Sequence, residues 1–206
     1  KNTAIIFCIL GILTSFSLNA FITGSILIIL RIVFKRNSKF FRQSVSIFFI
    51  LIVVLSFRAP FWFNDFLKSV GDFSVGLDTR QVLIESSEKM ILQNPLLGVG
   101  LGNFVAVLPK LDLNPRILWT LQPVHNIFLL VFSETGIVGF LVFCWLGFKV
   151  LKKSVVYPNP FYGFALIAVF LTGTFDHYWL TLQQNQLIFS VVLGLTLRSR
   201  SVKSLK

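Results

Sequence analysis

Residues 123–153 read PVHNIFLLVFSETGIVGFLVFCWLGFKVLKK. From His125 to Phe148 the run is predominantly apolar, and it stops at Lys149, Lys152 and Lys153. About 20 apolar residues closed by cations is what a helix needs to cross a bilayer and end at its cytoplasmic face. The same run carries a polar pair, His125-Asn126, at its mouth and a carboxylate, Glu134, inside it.

Composition points the same way. Of 206 residues, 55% are hydrophobic, 24 are Phe and only 13% are charged. Soluble domains run nearer 45–50% apolar and about 25% charged, so an integral membrane protein is expected. The first residue is Lys rather than Met, as expected for the C-terminal portion of a longer protein. Lys and Arg outnumber Asp and Glu by 19 to 8, a surplus that could suggest nucleic acid. Position argues for no nucleic-acid partner: Arg31, Lys35, Arg36, Lys39 and Arg42 form one cluster, Lys149, Lys152 and Lys153 a second, and Arg198, Arg200, Lys203 and Lys206 a third. Each lies between or after apolar runs, which is the positive-inside pattern of cytoplasmic loops. Cys8 and Cys144 both sit in apolar runs and read as small buried hydrophobes.

The remaining spans follow from the apolar runs. Ala4 to Phe34 is interrupted by the polar patch Thr14–Asn19 and admits two readings, one tilted helix or two spans that turn at Ser15–Asn19. The second leaves Lys1 on the side of the Arg31–Arg42 cluster and is preferred. The fold class expected is all-α, a polytopic transmembrane helix bundle forming one membrane domain over residues 1–206. Its spans fall at approximately 4–16, 19–34, 43–58, 125–148, 160–176 and 182–197, with a large extracytoplasmic loop at 58–123 that contains short helices. Arg58 snorkels at the loop's start beside Trp62.

Within that loop, Asp78 to Gln93 is predicted to be a helix. Asp78 serves as N-cap with Gln81 three residues on, Glu85 and Lys89 pair at i,i+4, and Asn94-Pro95 ends the helix. Its apolar stripe is Leu83, Ile84, Ser87, Met90 and Ile91. Arg80 lies on that stripe, in the first turn, where a cation is unfavourable for the helix alone and hints at a bound anion. An arginine paired with Asp78 or Asp112 is the simpler reading of the loop arginines Arg80 and Arg116.

Gly98-Val99-Gly100-Leu101-Gly102 is neither a dinucleotide fingerprint nor a P-loop. It reads as a turn where backbone approaches a helix or a ligand closely. His125 is either a proton acceptor for a hydroxyl nucleophile or a helix-capping side chain. Glu134 lies nine residues on, about 13 Å deeper at ~1.5 Å per residue. That is too far to touch His125, and a structural partner such as a helix end is favoured. Asp176 and His177 close the outer end of the fifth span. With His125 they make only a weak metal signal, and hydrogen bonding to a sugar or a helix cap is preferred.

Taken in order, the arginine-led external helix, then NPLLGVGLGNF at 94–104, then the polar loop closed by His125-Asn126, then ETGIVG at 134–139 resemble the O-antigen ligase/polymerase-like family. The resemblance covers roughly Ser15 to Leu197. It implies a GT-C-type membrane glycosyltransferase in the bacterial inner membrane, multi-pass, with its active face extracytoplasmic. The implied reaction is transfer of a glycan from a polyprenyl-diphosphate donor to a glycan, lipid or protein acceptor, with no metal and no cofactor. By the same resemblance, Arg80 holds the donor diphosphate, His125 stands beside the acceptor as base or positioner, and Arg116 is a second phosphate ligand. Asn126, Asp176 and His177 are expected to contact substrate. The family carries Ser-Arg at the first outer turn where this chain has Ser17-Leu18-Asn19. Two other classes fit the residues alone: a membrane transporter lined by Glu134, Asp176 and His177, or a non-catalytic membrane scaffold.

Overall fold

A computed structural model describes residues 22–27, 50, 53–54, 57, 74–111, 121–156 and 161–198. The expected span at 4–16, most of those at 19–34 and 43–58, and Cys8, Trp62, Asp112 and Arg116 lie outside these residues.

Every regular element among the described residues is helical. Helix α1 runs Ser74–Gln93, α2 Phe104–Val107, α3 Ile127–Val156, α4 Phe161–Gly173, α5 Tyr178–Thr181 and α6 Gln183–Arg198, with a 3-10 turn at Leu108–Lys110 after α2. Ile127–Ser154, 28 residues, is the one stretch among the described residues long and apolar enough to cross a membrane, and Tyr162–Gly173 is a shorter apolar helix.

Helix α1 corrects the expected start. It begins at Ser74, so Asp78 lies inside it and Arg80 stands in its second turn rather than at its N-terminal anion-binding end. A capping side chain is worth only about 1 kcal/mol, too little to fix a boundary when the preceding residues are also helical. The other end is as expected. Asn94 N–H closes the last turn on Met90 O (3.0 Å), and Pro95 follows. Most of the predicted stripe is buried: Leu83, Ile84, Ser87 and Met90 are buried and Ile91 half-buried, while Glu85, Glu88 and Lys89 are exposed. Glu85 takes its hydrogen bond from Gln81 Nε2 at 3.1 Å. Ser86 and Ser87 can be buried because each hydroxyl donates back to its own helix, to Val82 O and Ile84 O.

The main departure from the sequence reading lies within α3. Gly136 has φ 63 and ψ −169, so the helix is broken there into two halves. The break forfeits the bonds Ile137 N–H and Val138 N–H would make to Ser133 O and Glu134 O one turn earlier. The loop after α1 replaces them. Ile137 N–H donates to Pro95 O (2.9 Å) and Val138 N–H to Leu96 O (3.4 Å), while Ser133 O accepts from Val99 N–H (2.9 Å) and Glu134 O from Gly100 N–H (2.9 Å). Both glycines at this crossing are sterically required. Gly98 has φ 68, and a Cβ there would collide with the Glu134 carbonyl. Gly136 has φ 63, and a Cβ there would collide with that of Leu96.

Two apolar clusters flank α3. One joins α1, α2, the 3-10 turn and the first half of α3 through Leu83, Met90, Phe104, Leu108, Val124 and Leu130. The other joins both halves of α3 to α4 through Ile127, Phe128, Phe140, Leu166 and Phe170. Phe132 and Phe140 stack across the break at 5.0 Å between centroids. Elsewhere α3 and α6 present apolar side chains outward, among them Leu141, Val142, Trp145, Leu187, Ile188 and Val191. At the far end, Lys153 Nζ donates to Leu197 O near the end of α6 (2.5 Å), where a cation suits the helix dipole.

The steric argument makes a graded prediction. Gly98→Ala and Gly136→Ala should each destabilise the solubilised protein well beyond the ~1–2 kcal/mol that a left-handed conformation alone costs a side chain. Gly102→Ala, at φ 75 with nothing within 4 Å of its Cβ position, should cost about that amount and no more. Thermal unfolding of the three variants in one detergent gives the ranking, and equal losses would contradict it.

Candidate functional site

Asn126 starts the site by starting α3. Its Oδ1 accepts from Phe128 N–H (2.9 Å) and Leu129 N–H (3.1 Å), a side-chain N-cap in a fully buried position. That oxygen is committed to the helix, and the cap holds His125 immediately outside the first turn. At the opposite side of the corner, α4 ends at Gly173 and the chain turns through Thr174–Asp176 into α5. Gly173 lets that end approach closely, since a Cβ there would run into the Ile127 side chain. The two chain segments therefore meet where His125 and His177 stand.

The imidazoles of His125 and His177 lie edge to face, 5.0 Å between centroids at 66°. One ligand atom from each of His125, Asp176 and His177 falls within 4.8 Å of the others. Asp176 Oδ1 accepts from His177 N–H at 2.8 Å, and the His177 ring meets Tyr178 edge-on at 4.8 Å. His177 Nδ1 is 2.7 Å from Thr181 Oγ1, one turn later. Two atoms of this corner are buried with no hydrogen-bond partner among the described residues, His125 Nδ1 and His177 Nε2.

Arg80 brings the positive charge. Half-buried on α1, it acts electrostatically on all three groups. Burial first, then Arg80 and then His177, holds the His125 imidazole down from its ordinary 6.5 to about 4. Burial and then Arg80 lower His177 to about 4 as well. Burial raises the Asp176 carboxyl, opposed by its hydrogen bond from His177 N–H and by Arg80. Both imidazoles are therefore neutral across the physiological range, with the Arg80 charge acting on each.

Three of the six expected site residues thus come together, His125, Asp176 and His177, and the charge of a fourth, Arg80, acts on all of them. Asn126 adjoins them as the cap, and Arg116 lies outside the described residues. Thr181 went unnoticed in the sequence, although its i,i+4 spacing from His177 on a helical turn was a readable signal. Glu134 stands apart from this corner. Its carboxylate accepts from Gly102 N–H (Oε2, 2.9 Å) and Phe104 N–H (Oε1, 3.2 Å), so it caps the short helix α2 from across the fold. A transporter that relied on titrating Glu134 would have to break that cap.

Residues 3–144 match the model of a known family described as O-antigen ligase. The chain belongs to that family, whose members are integral membrane enzymes of lipid-linked glycan transfer. The match takes in Arg80, Arg116, His125, Asn126 and Glu134 and stops within α3, before Asp176 and His177. Neither the curated proteins nor the solved structures contain a match to this chain.

The lowered imidazoles make stability depend on pH with a definite sign. Between about pH 4 and 6.5 the unfolded chain protonates both histidines while the folded chain resists. Stability contributed by keeping them neutral is therefore present above that window and lost as pH falls through it. Asp176 works in the opposite sense, one carboxylate against two imidazoles. Melting temperature should fall with acidification through this range. In Arg80→Gln both histidines should titrate closer to 6.5 by NMR, and an unchanged titration would show that Arg80 does not face them.

Proposed function

We propose that the protein transfers a glycan from a polyprenyl-diphosphate donor to an acceptor at the outer face of the cell membrane. In this reading the described helices belong to a polytopic bundle in a bacterial inner membrane, and the Arg80 corner opens on its extracytoplasmic side. The observation that carries the reading is the meeting of His125 with Asp176 and His177, from two separate parts of the chain, at the mouth of the apolar helix, with the charge of Arg80 on α1 acting on all three. Membership of a family that handles lipid-linked glycans supplies the substrate class.

The chemistry follows from the charges. A diphosphate is a multidentate anion, which a guanidinium binds better than an ammonium does. Bound to Arg80, with Arg116 proposed as a second ligand, it becomes a better leaving group because negative charge grows on it as the glycosidic bond breaks. An imidazole neutral at working pH can accept the proton of the attacking hydroxyl. Pairing of Arg80 with the diphosphate also offsets the charge that depresses the two histidines, so donor binding makes them stronger bases. The donor's lipid tail enters sideways from the bilayer between helices. The proposal covers ligases and polymerases alike, and the acceptor is a hydroxyl or amide on a glycan, lipid or protein.

Incubating the full-length protein with a lipid-diphosphate oligosaccharide should release lipid diphosphate. Arg80→Ala and His125→Ala should each abolish that release while the protein still inserts in the membrane. Transfer at the wild-type rate in both variants would end the assignment.

A further inference from the structure

The corner where α3 begins and α5 follows α4 contains a base whose proton inventory can be worked out from its neighbours. Thr181 Oγ1 sits 3.2 Å from His177 O in donating geometry and 2.7 Å from His177 Nδ1. A hydroxyl has one proton to give. If it goes to the carbonyl, Nδ1 must carry the hydrogen, and both bonds are made. If it goes to Nδ1, the carbonyl bond is lost, and Nε2, unpartnered in either tautomer, carries a buried N–H with no acceptor. The neutral ring therefore keeps its hydrogen on Nδ1 and leaves a bare lone pair on Nε2. That atom is buried and unpartnered, in a residue 6% exposed.

We propose that His177 Nε2 is the proton acceptor of the transfer step, and that His125 Nδ1 holds the attacking group beside it. This rests on the transferase reading above and assigns the base within it. The acceptor hydroxyl takes a hydrogen bond from His125 Nδ1–H and gives its own to His177 Nε2, which supplies each orphaned nitrogen with the partner it lacks. In the step, the O–H proton passes to Nε2 and the oxygen forms its bond to the anomeric carbon. The bond from that carbon to the diphosphate oxygen breaks, and its electron pair departs with the lipid diphosphate beside Arg80. His177 becomes an imidazolium still anchored through Nδ1–H to Thr181, with the Asp176 carboxylate within 4.8 Å of it. The proton then passes to the departing diphosphate or to water. A base oriented through its second nitrogen by a fixed neighbour is the arrangement that nucleophile activation requires.

A divalent cation is the other occupant that a His-His-Asp group can take. Arg80 argues against it, because a fixed positive charge that reaches all three side chains repels a cation. The same charge favours a neutral hydroxyl beside an anion.

The test uses full-length protein in lipid nanodiscs, with a lipid-diphosphate oligosaccharide and its acceptor, following release of lipid diphosphate. His177→Gln should lower kcat by about 10²–10⁴-fold with donor KM nearly unchanged. Thr181→Val keeps the ring and its packing but frees the tautomer, and should give a smaller loss of kcat. Nitrogen NMR of labelled histidine should find His177 as the Nδ1–H tautomer in the wild type and a mixture in Thr181→Val. Near-wild-type kcat in His177→Gln, or a wild-type Nε2–H tautomer, overturns this inference while leaving the transferase reading in place. Loss of activity to a chelator with recovery on added zinc overturns it in favour of a metal site. A wild-type protein that releases no lipid diphosphate overturns both.

Discussion

The structure depends on an exchange of backbone hydrogen bonds at Gly136. An apolar helix cannot simply break, because each unsatisfied N–H or C=O away from water costs several kcal/mol. Here two intrahelical bonds are given up and four are made to one incoming loop. The loop must bring carbonyls and amides in register to within hydrogen-bonding distance of another backbone, which only glycine at Gly98 and Gly136 permits. The glycine-rich segment and the apolar helix are thus one unit, and neither conformation stands without the other.

The rest of the site follows from that joint. Because Asn94-Pro95 leads directly into the loop, anchoring the loop fixes the C-terminal end of α1 against the first half of α3. Arg80, nearly four turns earlier on α1, is held where its charge acts on His125. Glu134, beside the break, turns its carboxylate to the start of α2 and so holds Phe104 in the same apolar cluster. On the other flank, packing of Phe128 on Phe170 and the close approach at Gly173 bring the end of α4, and with it Asp176 and His177, to the same corner. A break within the long apolar helix thereby helps to fix where α1 and the two imidazoles stand around α3.

How much of this the sequence revealed depended on whether the signal was local. The end of α1 was legible because proline stops a helix in any context, and its buried stripe because the 3.6-residue period is local. Its start was not, since Asp78 reads as an N-cap while the helix runs on through it back to Ser74. Polar residues at the ends of apolar runs picked out His125, Asp176 and His177. Their convergence with Arg80 required packing between elements that periodicity cannot pair. Glu134 was readable as a carboxylate needing a partner, but the partner, two backbone amides 30 and 32 residues away, was not. Gly136 looked like one more glycine in an apolar helix, where the residue is tolerated. Its positive φ exists only because the loop is there to meet it.

Hydrogen exchange at single-amide resolution tests the joint most directly. The amides of Val99, Gly100, Ile137 and Val138 should exchange slowly and at a common rate, close to that of the α3 interior, because all four open only when loop and helix separate. Exchange of Val99 and Gly100 at the rate of a free loop, with Ile137 and Val138 protected as in an unbroken helix, would contradict the account.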